Sequence, residues 1–208
     1  MATSGELTQA VSKALGVPFE TVREHLRVIR RVPNTISFSG YGRSAAAMTP
    51  RDAVRLTLAV AGSQFVKDSK TTLDAFRKLQ PIRLARRQSD SRERPPSLED
   101  YLIEIVEALI ASRDNLPAPY VRHPRSPRNG AIALTLLSGA TAGSREPPRA
   151  AIARRHTDTG VGAVSFATPG WSNPVLSEAE YATAWPEIGL VYSHHVTTWA
   201  FAEIALSL

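Results

Sequence analysis

Apolar residues recur at three- and four-residue steps through the first eighty positions, then give way to short, nearly continuous apolar runs after position 131. The first spacing puts side chains on one face of a helix; the second is the habit of buried strands. Leu7, Ala10, Val11, Ala14 and Leu15 predict a first helix, and Gly16-Val17-Pro18 predicts its end and the start of another. Glycine tolerates the left-handed turn, and proline can open a helix because its missing donor is not needed in the first turn. The second helix, predicted from Phe19 to Arg31, buries Phe19, Val22, Leu26 and Ile29. It turns Thr21, Arg23, Arg27, Arg30 and Arg31 outward.

Ile36 and Phe38 then alternate with Ser37 and Ser39, the period of a half-buried strand. Gly40-Tyr41-Gly42-Arg43 supplies a turn, and Ser44 to Met48 can return as the partner strand. Thr49 is placed to cap a third helix, with Pro50 at its first position and Asp52 at its positive end. Val54, Leu56, Leu58, Ala59, Val60 and Ala61 wrap wider than one stripe, so this helix reads as buried, ending at Gly62-Ser63. A further helix is predicted from Ser69 to Leu79, with Leu73, Phe76 and Leu79 on one side.

A short helix, a glycine turn and a basic helix form the pattern of a helix-turn-helix, whose second helix enters the DNA major groove. A hairpin directly after it is the wing of a winged helix, and Arg43 near its tip can reach phosphate or the minor groove. The run Gly40-Tyr41-Gly42-Arg43-Ser44-Ala45-Ala46-Ala47-Met48-Thr49-Pro50-Arg51-Asp52-Ala53 resembles the N-terminal module of small proteins carried by bacterial phages and prophages. The resemblance covers about a third of the chain. It implies a winged helix in a mobile-element setting and no particular activity. In a winged helix another helix usually precedes the pair; here the third helix would have to complete the core. The plainer alternative is that two amphipathic helices with solvated arginines need not touch DNA at all.

Residues 81–96 carry Arg83, Arg86, Arg87, Arg92 and Arg94 between prolines and read as an exposed linker. Ser97 caps a helix with Glu99 and Asp100 in its first turn. Its broad apolar face is Leu98, Tyr101, Leu102, Ile105, Val106, Leu109 and Ile110, with Glu104 and Glu107 in water. A Pro- and Arg-rich loop from Asn115 to Arg128 leads to strand candidates at Ile132 to Leu137, Ala151 to Arg155, Val161 to Phe166 and Ile188 to Tyr192. Gly139 to Pro148 reads as a loop, and Val196 to Leu206 as a closing helix.

Charge sharpens this division. The chain of 208 residues carries net +6, but residues 1–96 hold 17 Lys or Arg against eight acids. Residues 156–208 hold no Lys or Arg and five acids. The first half therefore has the electrostatic footprint of a polyanion binder, and the end of the chain would repel DNA. The absence of cysteine excludes disulfides and thiolate metal sites. No basic-then-apolar leader opens the chain and no apolar run nears the roughly 20 residues that span a bilayer, so a cytoplasmic protein is expected.

Chemistry is harder to find. His123, His156, Asp158, His194 and His195 are the polar candidates of the second half. Adjacent histidines project apart on either a helix or a strand, so one ion cannot easily take both. No metalloprotease helix, phosphate-binding loop, nucleophile elbow or dinucleotide fingerprint occurs. Trp171, Trp185 and Trp199 read as core or interface fillers. No enzyme, metal or cofactor is expected.

The expected architecture is a mainly α winged helix-turn-helix domain over 1–80, a linker over 81–96 and a small α+β domain over 97–208. The expected function is sequence-specific binding of double-stranded DNA by a phage-type transcriptional regulator, with the second domain serving self-association, a dimer first, or the binding of a partner. Thr21, Arg23, Arg27 and Arg30 would face the groove; Arg31 and Arg43 would hold phosphates or the minor groove. The alternatives are a packaging factor of the small-terminase kind and, further off, a hydrolase using His156 and Asp158.

Overall fold

The computed structural model describes residues 2–37, 46–82, 97–112, 132–141, 149–157, 160–168, 179–181 and 188–208. Helix α1 spans Ser4–Leu15. It starts earlier than its apolar spacing suggests, because Thr3 and Glu6 form a reciprocal capping box. Gly16, at φ +67°, ends it, and the Gly16 amide donates to the Ser12 carbonyl. Helix α2, Phe19–Arg30, follows with Pro18 at its N-cap rather than inside its first turn. Phe19, expected in the core, is only half-buried, whereas Val22, Leu26 and Ile29 are enclosed.

Helix α3, Pro50–Gly62, has the expected start: Thr49 caps it, Pro50 opens it, and Asp52 closes a capping box. It is buried around most of its circumference and touches α1, α2 and α4 (Ser69–Phe76). A single 3-10 turn, Val66–Asp68, precedes α4. That helix stops at Phe76, short of Leu79, and the chain turns directly into strand β1, Gln80–Pro81. Helix α5, Leu98–Ala111, is capped by Ser97 and Asp100 as its sequence requires.

Four longer strands follow: β2, Ile132–Thr141; β3, Ala150–Thr157; β4, Gly160–Ala167; and β5, Ile188–Thr197. The last element is helix α6, Thr198–Ser207. The sheet runs in the order β1-β4-β3-β2-β5, and each adjacent pair is antiparallel. The chain is thus α+β: among the described residues, the sheet takes its edge strand β1 from between α4 and α5 and its other strands from between α5 and α6.

Two boundaries differ from the apolar pattern. Strand β2 runs on through Gly139 to Thr141, where a loop was expected, because Ser138, Gly139 and Ala140 lie opposite Tyr192, Val191 and Leu190 of β5. Pairing with a neighbour supplies what the local Ser-Gly-Ala composition lacks. The same pairing keeps Val196 and Thr197 in β5, so α6 begins two residues later than expected.

Most of the expected wing lies outside the described residues. Among the described residues, Ile36, Ser37 and Ala46 to Met48 carry no strand. The Met48 amide instead donates to the Ala2 carbonyl at 2.9 Å, tying this stretch to the start of the chain. Phe38 to Ala45, with the Gly40–Gly42 turn and Arg43, lie outside the described residues.

Packing runs straight across the expected linker. Leu7 and Val11 of α1 share one core with Phe201 and Ile204 of α6, and Leu56 and Leu58 share it with Leu102, Leu134 and Ala153. The Leu98 amide donates to the Leu79 carbonyl at 2.8 Å, and Gln80–Pro81 pairs with Phe166–Ala167. Lys13 and Glu203 add an ion pair between α1 and α6. Residues on either side of 81–96 therefore bury the same apolar surface, the dominant favourable contribution to folding. Arg83, Arg86, Arg87, Arg92 and Arg94 lie outside the described residues.

Candidate nucleic-acid interface

Helix α2 is held by one face. Val22, His25, Leu26 and Ile29 are buried against α1, α3 and α4. His25 is the polar member of this face and was not singled out by the sequence pattern. Its Nδ1 lies 2.7 Å from the Ser69 hydroxyl at the start of α4. Ser69 has one hydroxyl proton and donates it to the Val66 carbonyl. It must therefore accept from His25, which places a proton on Nδ1 of the imidazole. Burial holds the His25 pKa below the usual imidazole range.

The opposite face meets solvent, and the sequence-predicted residues distribute over it unevenly. Arg23, Arg27 and Arg31 are exposed. Glu20 and Glu24 fall on the same arc. Arg23 pairs with Glu20 at 2.6 Å and Arg27 with Glu24 at 2.7 Å. These side chains are 41–65% exposed, so each pair contributes at most about 1 kcal/mol and exchanges readily for another anion. The strip is a row of mixed charge carrying a basic excess, with Arg31 at its end.

Thr21 and Arg30 sit at the edges. A helix advances about 100° per residue, so Thr21 is roughly 160° around the axis from Arg23. It is half-buried on the side of His25, and the fold does not bring it together with the arginines. Arg30 is half-buried on the other side, lining a cleft of about 730 Å³ with Asn34, Arg51, Arg55 and Glu107. Arg43 lies outside the described residues, so the site as described consists of Arg23, Arg27 and Arg31, with Arg30 and Thr21 on its flanks. Lys67 and Lys70, which no periodic pattern in the sequence marks, are exposed beside α2 on the turn and helix that hold His25.

The histidines of the second half do not converge. His194 and His195 occupy successive positions of β5, opposite Leu136 and Thr135 of β2, and so project to opposite faces of the sheet. His195 Nδ1 lies 3.1 Å from the Thr135 hydroxyl. Burial, then the neighbouring His195, lowers the His194 pKa. His156 is opposite Val161 in the β3–β4 register, while His123 and Asp158 lie outside the described residues. Among the described residues no three His, Asp or Glu side chains cluster as metal ligands would. No described helix is long and apolar enough to cross a membrane.

Comparison of the chain with family models, with curated proteins and with solved structures gives no match in any of the three.

Proposed function

We propose that the protein binds double-stranded DNA through the outward face of α2 and acts as a transcriptional regulator. One observation carries the reading: Arg23, Arg27 and Arg31 share the exposed arc of a short helix whose other face is locked into the core, directly after a glycine turn. A rigid helix presenting a guanidinium row is what major-groove and phosphate recognition needs, since the row fixes register and the planar fork suits phosphate oxygens and guanine edges. The excess of 17 Lys or Arg over eight acids in residues 1–96 adds a field that attracts a polyanion. Glu20 and Glu24 do not preclude this, because exposed pairs are weak and phosphate competes for the same guanidinium groups.

Genome-wide binding of a tagged full-length copy tests the reading, followed by titration of wild type and Arg27→Ala on the enriched duplex and on random duplexes. Sharp peaks at promoters support it, and so does a loss of roughly 1–3 kcal/mol for Arg27→Ala if that residue reads a base. An equal loss on every duplex with a flatter salt dependence assigns Arg27 to phosphate. Absence of enrichment, with unchanged affinity of the folded variant, overturns it.

A further inference from the structure

We propose that Asp52, Arg55 and Glu99 are positioning residues for the 37–49 connection: Asp52 of α3 holds both of its ends, and Glu99 of α5, acting through Arg55, braces the end that follows α2. Each oxygen of the Asp52 carboxylate is engaged. Oδ1 accepts from the Ser37 amide at 2.9 Å; Oδ2 accepts from the Thr49 amide at 2.9 Å and the Thr49 hydroxyl at 2.8 Å. One buried side chain thus grips the chain where it leaves the helical unit and where it comes back. Helix capping requires only the Thr49 bonds. The Ser37 bond is additional and serves the connection.

Arg55 stands one turn further along α3. Its Nη1 donates to the carbonyls of Asn34 and Thr35 at 2.9 and 2.8 Å, and its Nε donates to Glu99 at 2.6 Å. Asn34 has φ +59°, a left-handed conformation that asparagine tolerates better than most residues but that its surroundings must hold. The guanidinium supplies that hold on the carbonyl side. Glu99 is the anchor. Asp100 already completes the α5 cap, so Glu99 is not needed for it; it is buried and turned towards α3 instead.

The side chains of Arg55 and Glu99 are each only 12% exposed. Ion pairs so enclosed lose hydration on folding, and an apolar pair of like volume often stabilises a fold as well. An apolar pair cannot hold two carbonyls. This is the property that distinguishes positioning from bulk stability, and it links α5 to a connection that carries Arg43.

The binding half of this inference rests on the DNA reading above; the mechanical half does not. In the full chain, Arg55→Met with Glu99→Leu removes both charges together and leaves neither buried and unpaired. Arg55→Lys is the second variant: it keeps the charge opposite Glu99 but lacks the planar fork. Hydrogen exchange at the Ser37 amide, referenced to Leu26 in α2, reads the base of the connection without DNA. Both variants are expected to speed Ser37 exchange about tenfold or more relative to Leu26, a typical loss for hydrogen bonds to a charged group. Both should also weaken DNA binding by about tenfold. Unchanged Ser37 exchange in the two variants, or rescue by Arg55→Lys, overturns the proposal. Faster exchange with wild-type DNA affinity overturns the link to binding. If wild type itself binds no DNA, the proposed function fails, and exchange alone decides the mechanical role.

Discussion

The two faces of α2 are built on opposite principles. The inner face is apolar except for His25, and that residue is satisfied by a single defined bond to Ser69. The outer face is charged throughout its exposed arc, and its contacts are short-range pairs within the same helix. Burial of the first removes water from side chains with few alternative arrangements, which gives a fixed position. The second can exchange its partners at little cost. A helix so divided is rigid as an element and adaptable at its surface, which is what presentation of arginines to a ligand requires.

The largest effect should come from the inner face. Ile29 is fully enclosed in the shared core. Ile29→Ala should lower stability by about 2–5 kcal/mol, the usual cost of lost transfer energy plus the cavity left behind. Chemical denaturation monitored at the tryptophans measures it. Because the core also takes residues from α5 and α6, the loss should appear as one cooperative transition of the whole chain. Two separated transitions, only one of them shifted, would show that the halves fold independently and would break the picture of a common core.

The helices were legible in the sequence where their causes are local. Thr49-Pro50-Asp52 and Ser97-Asp100 announce their helix starts within four residues, and the observed caps follow them. Thr3 and Glu6 carried the same signal, but the apolar run began later and drew the boundary with it. What could not be read was decided by distant partners. Gly139 belongs to a strand because Val191 lies opposite it. Ser69 receives His25, and Glu99 receives Arg55, each across 44 positions. Periodicity reports which face of an element is buried, not which polar group it meets there. The arginines of α2 were legible as outward, but the helical period also puts Glu20 and Glu24 among them and Thr21 away from them.

The burial of His25 gives the inner face a dependence on pH. The folded-state pKa of His25 is lowered by burial, so between that value and the unfolded value near 6.5 the unfolded chain binds more protons. This contribution to stability is therefore complete above about pH 6.5 and is lost as the pH falls towards the lowered folded value. The slope from one such group reaches at most roughly 1.4 kcal/mol per pH unit. His194, lowered by burial and by His195, contributes in the same direction. His25→Asn keeps a donor for Ser69 and removes the titration. Stability profiles from pH 7 to pH 5 should be shallower for this variant than for wild type; parallel profiles would assign the acid sensitivity elsewhere.

The smallest effect on stability should come from the outer face, where it is also the most informative about function. Glu20→Gln and Glu24→Gln each remove an exposed partner of an arginine, so stability should change by no more than about 0.5 kcal/mol. DNA binding should respond in the other direction. On the proposed reading, the freed guanidinium groups no longer exchange a carboxylate for phosphate, and two negative charges leave the surface that would face the polyanion. Affinity should therefore rise in the double variant, most at low salt, because the added attraction between exposed charges is screened as ionic strength increases. Fluorescence anisotropy with one duplex over a series of salt concentrations measures this directly. Arg23→Ala with Arg27→Ala, made in the same background, should abolish the gain. A double glutamine variant whose affinity equals that of wild type at every salt concentration would mean that the outer arc is a solvated surface, and that any contact with DNA lies on another face of the molecule.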